Sequence, residues 1–242
     1  MTKKHFFELP YTKAMDKQRE NSNMSNQTWV AEYSIGEEIA HAITHGIGIP
    51  LSIAALVLLV TFSALYGNAW HVTSTAIYGS TLVLLYTAST LYHGIPHERA
   101  KPLLQKFDHA AIFLLIAGTY TPFTLVTLQG PWGWTLFGLV WAIAAFGVYV
   151  KLAGSQKIQR WSLPLYLGMG WLVLFAIKPL ISNLDTGGLV LLVAGGLSYT
   201  LGALIYAWES LSWNHAIWHV FVLAGSIFQF FSIFFYVVPG ST

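Results

Sequence analysis

Two histidines stand four residues apart at the start of a long apolar stretch, SWNHAIWHVFVLAGSIFQFFSIFFYVV, which begins at Ser212. In a helix this spacing places the imidazoles of His215 and His219 on one face, one turn apart. Such a face can bind a metal ion, or it can be a polar patch where the helix meets water. The chain contains no cysteine, so any chemistry depends on histidine, carboxylate and hydroxyl groups.

Three more polar residues stand at the ends of other apolar stretches. Ser89 and His93 are four residues apart in STLYHG, and Asp108 stands in KFDHAAIFLL. A carboxylate in or near a membrane span is costly and usually has a partner or a task. At the start of a helix, however, Asp108 could simply be an N-terminal cap.

A second histidine pair competes with the first. His41 and His45 stand in EEIAHAITHGIG with the same four-residue spacing as His215 and His219, and the residues alone do not choose between the pairs. We expect the remaining histidines to be interfacial or to point elsewhere; these are His5, His71, His97 and His109.

Composition places the chain among integral membrane proteins. Hydrophobic residues make up 55% of the sequence and charged residues only 9%, and the apolar residues come in runs long enough to cross a bilayer. The polar residues 1–36 contain no apolar core typical of a signal peptide and are predicted to form a disordered cytoplasmic tail. Residues 37–240 are predicted to form the membrane domain.

Hydropathy predicts an all-α bundle of seven transmembrane helices. The predicted spans are residues 39–64, 71–93, 108–128, 132–151, 161–181, 187–208 and 214–238. Basic residues concentrate in the N-terminal tail and in the second and fourth loops; the loop residues are Arg99, Lys101, Lys106, Lys151, Lys157 and Arg160. The opposite side offers only Lys178. The positive-inside rule therefore predicts a cytoplasmic N-terminus and a C-terminus outside the cell.

This topology places His93, Asp108, His215 and His219 at a similar depth, near the cytoplasmic face. Three imidazoles and one carboxylate are the composition of a zinc site that keeps one position open to water. Nitrogen and oxygen ligands without sulfur favour zinc, and iron or another divalent ion is also compatible.

Three blocks of the sequence match a known pattern. They are EEIAHAITHGIG, STLYHGIPHERAKPLLQKFDHAAIFLLIAGTYTP and HAIWHVFV. With these blocks in this order, the chain resembles the progestin and adipoQ receptor superfamily, and most closely its bacterial branch, the haemolysin III proteins. The residues that carry the resemblance are Glu38, His45, Ser89, His93, Asp108, Gly118, Pro122, His215 and His219.

The resemblance implies a multi-pass protein of the bacterial inner membrane with seven helices and an intramembrane zinc ion (Zn2+). Its ligands would be His93, His215 and His219. Asp108 would hold or activate the metal's water, and Ser89 would line the same cavity. The resemblance gives Glu38 and His45 supporting positions around the ligands. An asparagine often found in the first block is replaced here by Ala40, His41 or Ala42, which leaves the role of His41 open.

These expectations lead to a functional hypothesis with membrane lipid as the partner. A zinc-activated water beside Asp108 could hydrolyse a lipid amide or ester, with Ser89 stabilising the oxyanion; a role in membrane lipid homeostasis is the companion hypothesis. The alternatives are a structural zinc in a receptor-like or regulatory protein, and cytolytic activity. Bis-histidine haem binding is disfavoured because His215 and His219 share one face.

Overall fold

The computed structural model describes residues 33–153 and 161–240, and this part of the chain is helical without any β-strand. The helices are α1 (Ile35–Tyr66), α2 (Ala69–Gly94), α3 (Lys101–Pro122), α4 (Gly130–Ala153), α5 (Ser162–Gly170), α6 (Ile177–Asn183), α7 (Thr186–Tyr206) and α8 (Asn214–Tyr236). A π-helical segment, Phe123–Leu128, continues α3, and a 3₁₀ segment, Trp171–Ala176, joins α5 to α6. The all-α prediction is confirmed, while the predicted tail lies almost wholly outside the described residues.

Six of the helical segments are long and apolar enough to cross a membrane: α1, α3 with its π-helical extension, α4, the continuous segment from α5 to α6, α7 and α8. Helix α2 is 26 residues long, but its serine, threonine and tyrosine side chains lower its hydropathy, and it is not among these six. Several of these side chains are buried, among them Ser74, Thr75, Tyr78 and Tyr86. Because α2 directs them into the protein, its composition alone does not identify it as a membrane span, and the count of seven crossings stays a prediction.

Helix α1 begins at a complete capping box. The backbone amide of Glu37 donates to Ser34 Oγ at 3.3 Å, and the amide of Ser34 donates to Glu37 Oε2 at 2.9 Å. These bonds satisfy amide groups that have no partner inside the helix. The cap fixes the first turns of α1, which carry Glu38 and His41.

Helix α3 begins seven residues earlier than predicted, at Lys101 instead of residue 108. Pro102 stands in its first turn, where a missing amide hydrogen costs nothing and the fixed φ favours helix. The polar residues before Asp108 hid this part of the helix from hydropathy. Asp108 therefore lies two turns inside α3, and the alternative reading of Asp108 as an N-terminal cap is wrong.

Helix α2 packs between α1 and α3, while α8 packs against α7 and α1. Two glycines permit the close approaches of α2. A Cβ at Gly118 would stand 2.1 Å from Thr81 Oγ1, and a Cβ at Gly48 would stand 2.3 Å from Tyr86 Cδ1. The Tyr86 hydroxyl then donates to Ser226 Oγ at 2.8 Å. This packing brings the C-terminal end of α2 beside the N-terminal end of α8.

Candidate metal centre

Three buried histidines meet where α2 ends and α8 begins. One ring nitrogen each from His93, His215 and His219 lies within 4.8 Å of the others. A tetrahedral zinc ion with Zn–N bonds of 2.0–2.1 Å would place its nitrogen ligands ~3.3 Å apart. Small side-chain movements would therefore close these three imidazoles around one ion, and the group could hold a metal.

The His93 ring is held by a carboxylate on α1. Its Nδ1 lies 2.6 Å from Glu38 Oε2, and the other oxygen of that carboxylate lies 2.7 Å from Lys101 Nζ. The remaining His93 nitrogen, Nε2, is buried and has no hydrogen-bond partner among the described residues. A carboxylate that accepts from one ring nitrogen orients the other toward a metal and increases its basicity.

The two histidines of α8 are held in the same way. His215 Nδ1 lies 2.5 Å from the Tyr33 hydroxyl. His219 Nδ1 lies 3.3 Å from the carbonyl oxygen of His41 and 3.2 Å from Thr44 Oγ1. In all three rings Nδ1 is thus occupied by a partner outside the cluster, which leaves Nε2 as the nitrogen for coordination. The donor set fits a divalent metal such as zinc.

Ser89 and Asp108 lie beside this cluster. Both side chains are buried, and both line a cavity that also reaches His215 and His219. The Ser89 hydroxyl neighbours the Asp108 carboxylate, although no hydrogen bond of good geometry joins them. The structure therefore brings together the five residues that the sequence singled out on α2, α3 and α8.

The cavity extends from the histidines far into the bundle. Its volume is about 190 Å³. Gln229 also lines it, ten residues beyond His219 and so roughly 15 Å further along α8 at 1.5 Å per residue. Most of the lining residues are apolar. A space of this shape and lining suits a hydrocarbon chain.

His45, the other supporting residue named from the sequence, packs against the cluster. Its ring stacks on His219 with a centroid distance of 3.5 Å and an interplanar angle of 8°, and Tyr86 meets it edge-on. Both of its ring nitrogens are buried, and neither has a hydrogen-bond partner within residues 33–153 and 161–240. Its contacts are those of a packing residue.

His41 is the residue whose place the sequence left open. It is fully buried, and its ring centroid lies 4.6 Å from those of both His93 and His215. Together with Glu38 and His93 it forms a second group whose ligand atoms lie within 4.8 Å of one another. The four-residue spacing of His41 and His45 in the sequence indicated that His41 could belong to a metal site. No feature of the sequence indicated that Tyr33, which precedes α1, contacts His215.

A second polar group lies near Asp108. Lys151, which the topology prediction counted as a loop charge, belongs to the last turn of α4 and is only 4% exposed. Its Nζ lies 3.4 Å from His109 Nδ1. The His109 side chain thus pairs with α4, as expected for a residue about 100° around α3 from Asp108, although His109 also lines the cavity.

The fold and the site define an integral membrane protein of helices with a buried histidine-rich centre that opens onto an apolar cavity. The chain belongs to the haemolysin-III-related family, whose sequence profile matches residues 33–230. The resemblance drawn from the three sequence blocks is therefore confirmed. With its six membrane-capable helices, the chain is a multi-pass protein of the bacterial inner membrane.

Similar proteins support this assignment over nearly their whole length. The chain is 49% identical over 208 residues to Hemolysin-3 of Bacillus cereus, covering 86% of this chain and 95% of the relative. It is 48% identical over 206 residues to the Hemolysin-3 homolog of Bacillus subtilis, covering 85% and 97%. A more distant relative, Monocyte to macrophage differentiation factor of Homo sapiens, is 26% identical over 212 residues, covering 85% and 87%; it is consistent with the wider progestin and adipoQ receptor superfamily.

Proposed function

We propose that this protein is a zinc-dependent hydrolase of a membrane lipid, acting on an amide or ester bond. One observation supports this proposal above the others: three buried imidazoles converge near a buried carboxylate that lines an apolar cavity. Hydrolysis of a lipid head-group bond needs a metal site, a proton acceptor and space for the acyl chain.

In this proposal His93, His215 and His219 hold the metal. When bound, zinc supplies Lewis acidity and lowers the pKa of a coordinated water. The protein's own contribution is to fix the three rings through Nδ1, so that the site needs little reorganisation when the metal or substrate binds.

Asp108 and Ser89 act on the cavity side of the metal. The Asp108 carboxylate accepts a proton from the attacking water, as a general base within reach of the reacting atoms. The Ser89 hydroxyl donates a hydrogen bond to the carbonyl oxygen as negative charge develops on it. In the part of the chain that the structure describes, Ser89 Oγ makes no hydrogen bond that it would have to break first.

The cavity binds the hydrocarbon part of the substrate. Its apolar lining between Asp108 and Gln229 would exclude water from the acyl chain and align the scissile bond with the metal. Burial of apolar chain contributes about 0.8 kcal/mol per methylene group, so chain length would determine much of the affinity.

The orientation of the protein completes the proposal. By the positive-inside rule, the basic residues of the N-terminal tail and of the segment from Arg99 to Lys106 favour a cytoplasmic N-terminus, seven crossings and a C-terminus outside. The metal centre then lies near the cytoplasmic face, where a lipid head group would meet it. Through such a reaction the protein would adjust the lipid composition of its own membrane.

A structural metal in a receptor-like or regulatory protein is the second candidate. The observation that favours it is that both ring nitrogens of His41 lack a hydrogen-bond partner among the described residues. One of these nitrogens could take the coordination position that a catalytic site keeps for water. A closed four-ligand site binds metal without hydrolysing anything.

Cytolytic activity is suggested by the name of the Bacillus cereus relative. Leakage of dye from lipid vesicles on addition of the purified protein tests that reading directly. We expect no leakage, because these apolar helices are suited to reside in a membrane as spans and not to attack a membrane from outside.

The first test is the metal content of the full chain purified in detergent, measured by mass spectrometry. We expect about one zinc per chain, lost in the double variant His215→Ala/His219→Ala. Asp108→Ala should keep most of the metal yet abolish release of fatty acid from lipid amides and esters. Equal loss of metal in the Asp108 variant would contradict its role as a general base.

A further inference from the structure

We propose that His41 is a fourth nitrogen ligand of the metal, bound on the face of the ion that points away from the cavity. This inference rests on the metal centre of the proposed function. It adds a ligand to the three that the sequence blocks imply, and it leaves the cavity face of the metal open for water and substrate.

The first observation is the burial of His41 without any partner. The residue is 0% exposed, and both Nδ1 and Nε2 are buried with no hydrogen bond among the described residues. A buried polar atom that has lost water and gained no partner is unfavourable. A bond from one ring nitrogen to a metal would remove much of this deficit.

The second observation is the position of the ring. The His41 centroid lies 4.6 Å from that of His93, 4.6 Å from that of His215 and 5.3 Å from that of His219. One of its nitrogens lies within 4.8 Å of a ligand atom of His93 and of Glu38. His41 thus contacts the whole triad, not one member of it.

The third observation is the side from which His41 approaches. Ser89, Asp108, His215 and His219 line the cavity, whereas His41, like His93, lies outside that lining. With His41 added, four imidazoles and one water would make five ligands, a coordination number that catalytic zinc sites can reach. The proposal therefore reconciles a four-imidazole donor set with a site that still accepts water.

His45 shows why burial alone does not make a ligand. It stands one turn from His41 on α1 and has the same unpartnered nitrogens. Its ring, however, lies parallel to that of His219 at 8°, whereas His41 is inclined at 63° to His93 and at 57° to His219. The lone pair of an imidazole nitrogen lies in the ring plane, so a flat stack cannot direct it at the metal that His219 binds. An inclined ring can.

The test uses the full chain in detergent, loaded with Co²⁺ in place of zinc, and compares His41→Phe with His45→Phe. Each change replaces a buried imidazole on the same helix with a ring that has no nitrogen. Visible absorption of Co²⁺ reports coordination number, X-ray absorption counts nitrogen neighbours, and competition with a chelator gives affinity.

We expect His41→Phe to lower the nitrogen count by one, to intensify the visible bands as five-coordinate cobalt becomes four-coordinate, and to weaken Co²⁺ binding by at least about tenfold. His45→Phe should leave the bands and the nitrogen count as in the wild type. Should His41→Phe fail to fold, His41→Asn, which keeps a polar side chain of smaller volume, gives the same reading.

An unchanged spectrum in the His41 variants would overturn the proposal, and so would two metal ions per wild-type chain, since His41 would then serve a separate site with Glu38. A wild-type protein with one metal and three nitrogen ligands rejects the fourth ligand but keeps the proposed function. A wild-type protein that binds no metal rejects both.

Discussion

The three imidazoles of the metal centre are each held through Nδ1 by a group on α1 or just before it. Glu38 holds His93, Tyr33 holds His215, and the backbone of His41 holds His219. Helix α1 therefore orients all three rings, although none of them belongs to it. The charged contact is the strongest of the three, because a hydrogen bond to an ionised acceptor is roughly twice as strong as a neutral one.

Replacing Glu38 with glutamine should accordingly weaken metal binding by about 10–100-fold. The amide can still accept a hydrogen bond from His93 Nδ1 but carries no charge to increase the basicity of the ring. Chelator competition on the purified chain measures the change. Glu37→Gln is the matched control, since Glu37 bonds to Ser34 and glutamine also completes a capping box. Equal affinities in the two variants would show that the carboxylate of Glu38 does not act on the metal.

At the scale of the helices, the site depends on how closely α2 approaches its neighbours. Gly118 of α3 faces Thr81 of α2 with no room for another atom. Gly118→Ala should therefore destabilise the bundle, by about 1–3 kcal/mol as in other overpacked cores, even though alanine is the better helix former. The melting temperature in detergent, followed by size-exclusion chromatography, measures this effect.

Gly138→Ala supplies the control for that experiment, because a Cβ on Gly138 of α4 would meet nothing within 4 Å. We expect it to be neutral or slightly stabilising. Adding Thr81→Ala to Gly118→Ala removes the worst contact, that with Oγ1, and should recover part of the loss. If both single glycine variants melt alike, the contact between α2 and α3 is looser than the structure indicates.

The helices were predictable because their apolar runs are long, and the ends agree with the structure within a few residues except at α3. There the polar turns from Lys101 to Phe107 carry no hydropathy signal, and only Pro102 indicated a helix start. Within the site, the HxxxH spacing and the family blocks identified residues on α2, α3 and α8. The position of His41 beside the three ligands depends on how α1 is rotated against α2 and α8, and so does the contact of Tyr33 with His215. The spacing of residues along one helix does not determine that rotation.

Helix α2 decides the topology of the whole molecule, because it is long enough to cross the membrane but is not among the six apolar segments. A crossing places the α1–α2 loop and the α2–α3 loop on opposite sides, and His93 stands only five residues before Glu98 in the second of these. The side on which Glu98 lies is therefore the side of the metal centre.

The absence of cysteine makes this side measurable. Single cysteines can replace Ala69, Glu98, Asp185 and Glu209, all of which are exposed next to or between helices, and a maleimide that cannot cross membranes is added to intact cells. With seven crossings and the N-terminus inside, positions 69 and 185 should react at once, while positions 98 and 209 should react only after the cells are permeabilised.

If positions 69 and 98 react from the same side, α2 does not cross, and the positive-inside argument no longer places the lipid head group at the metal. Because positions 185 and 209 flank α7, which is apolar enough to span by itself, their opposite reactivity shows that the labelling reports topology even if the result for α2 is negative.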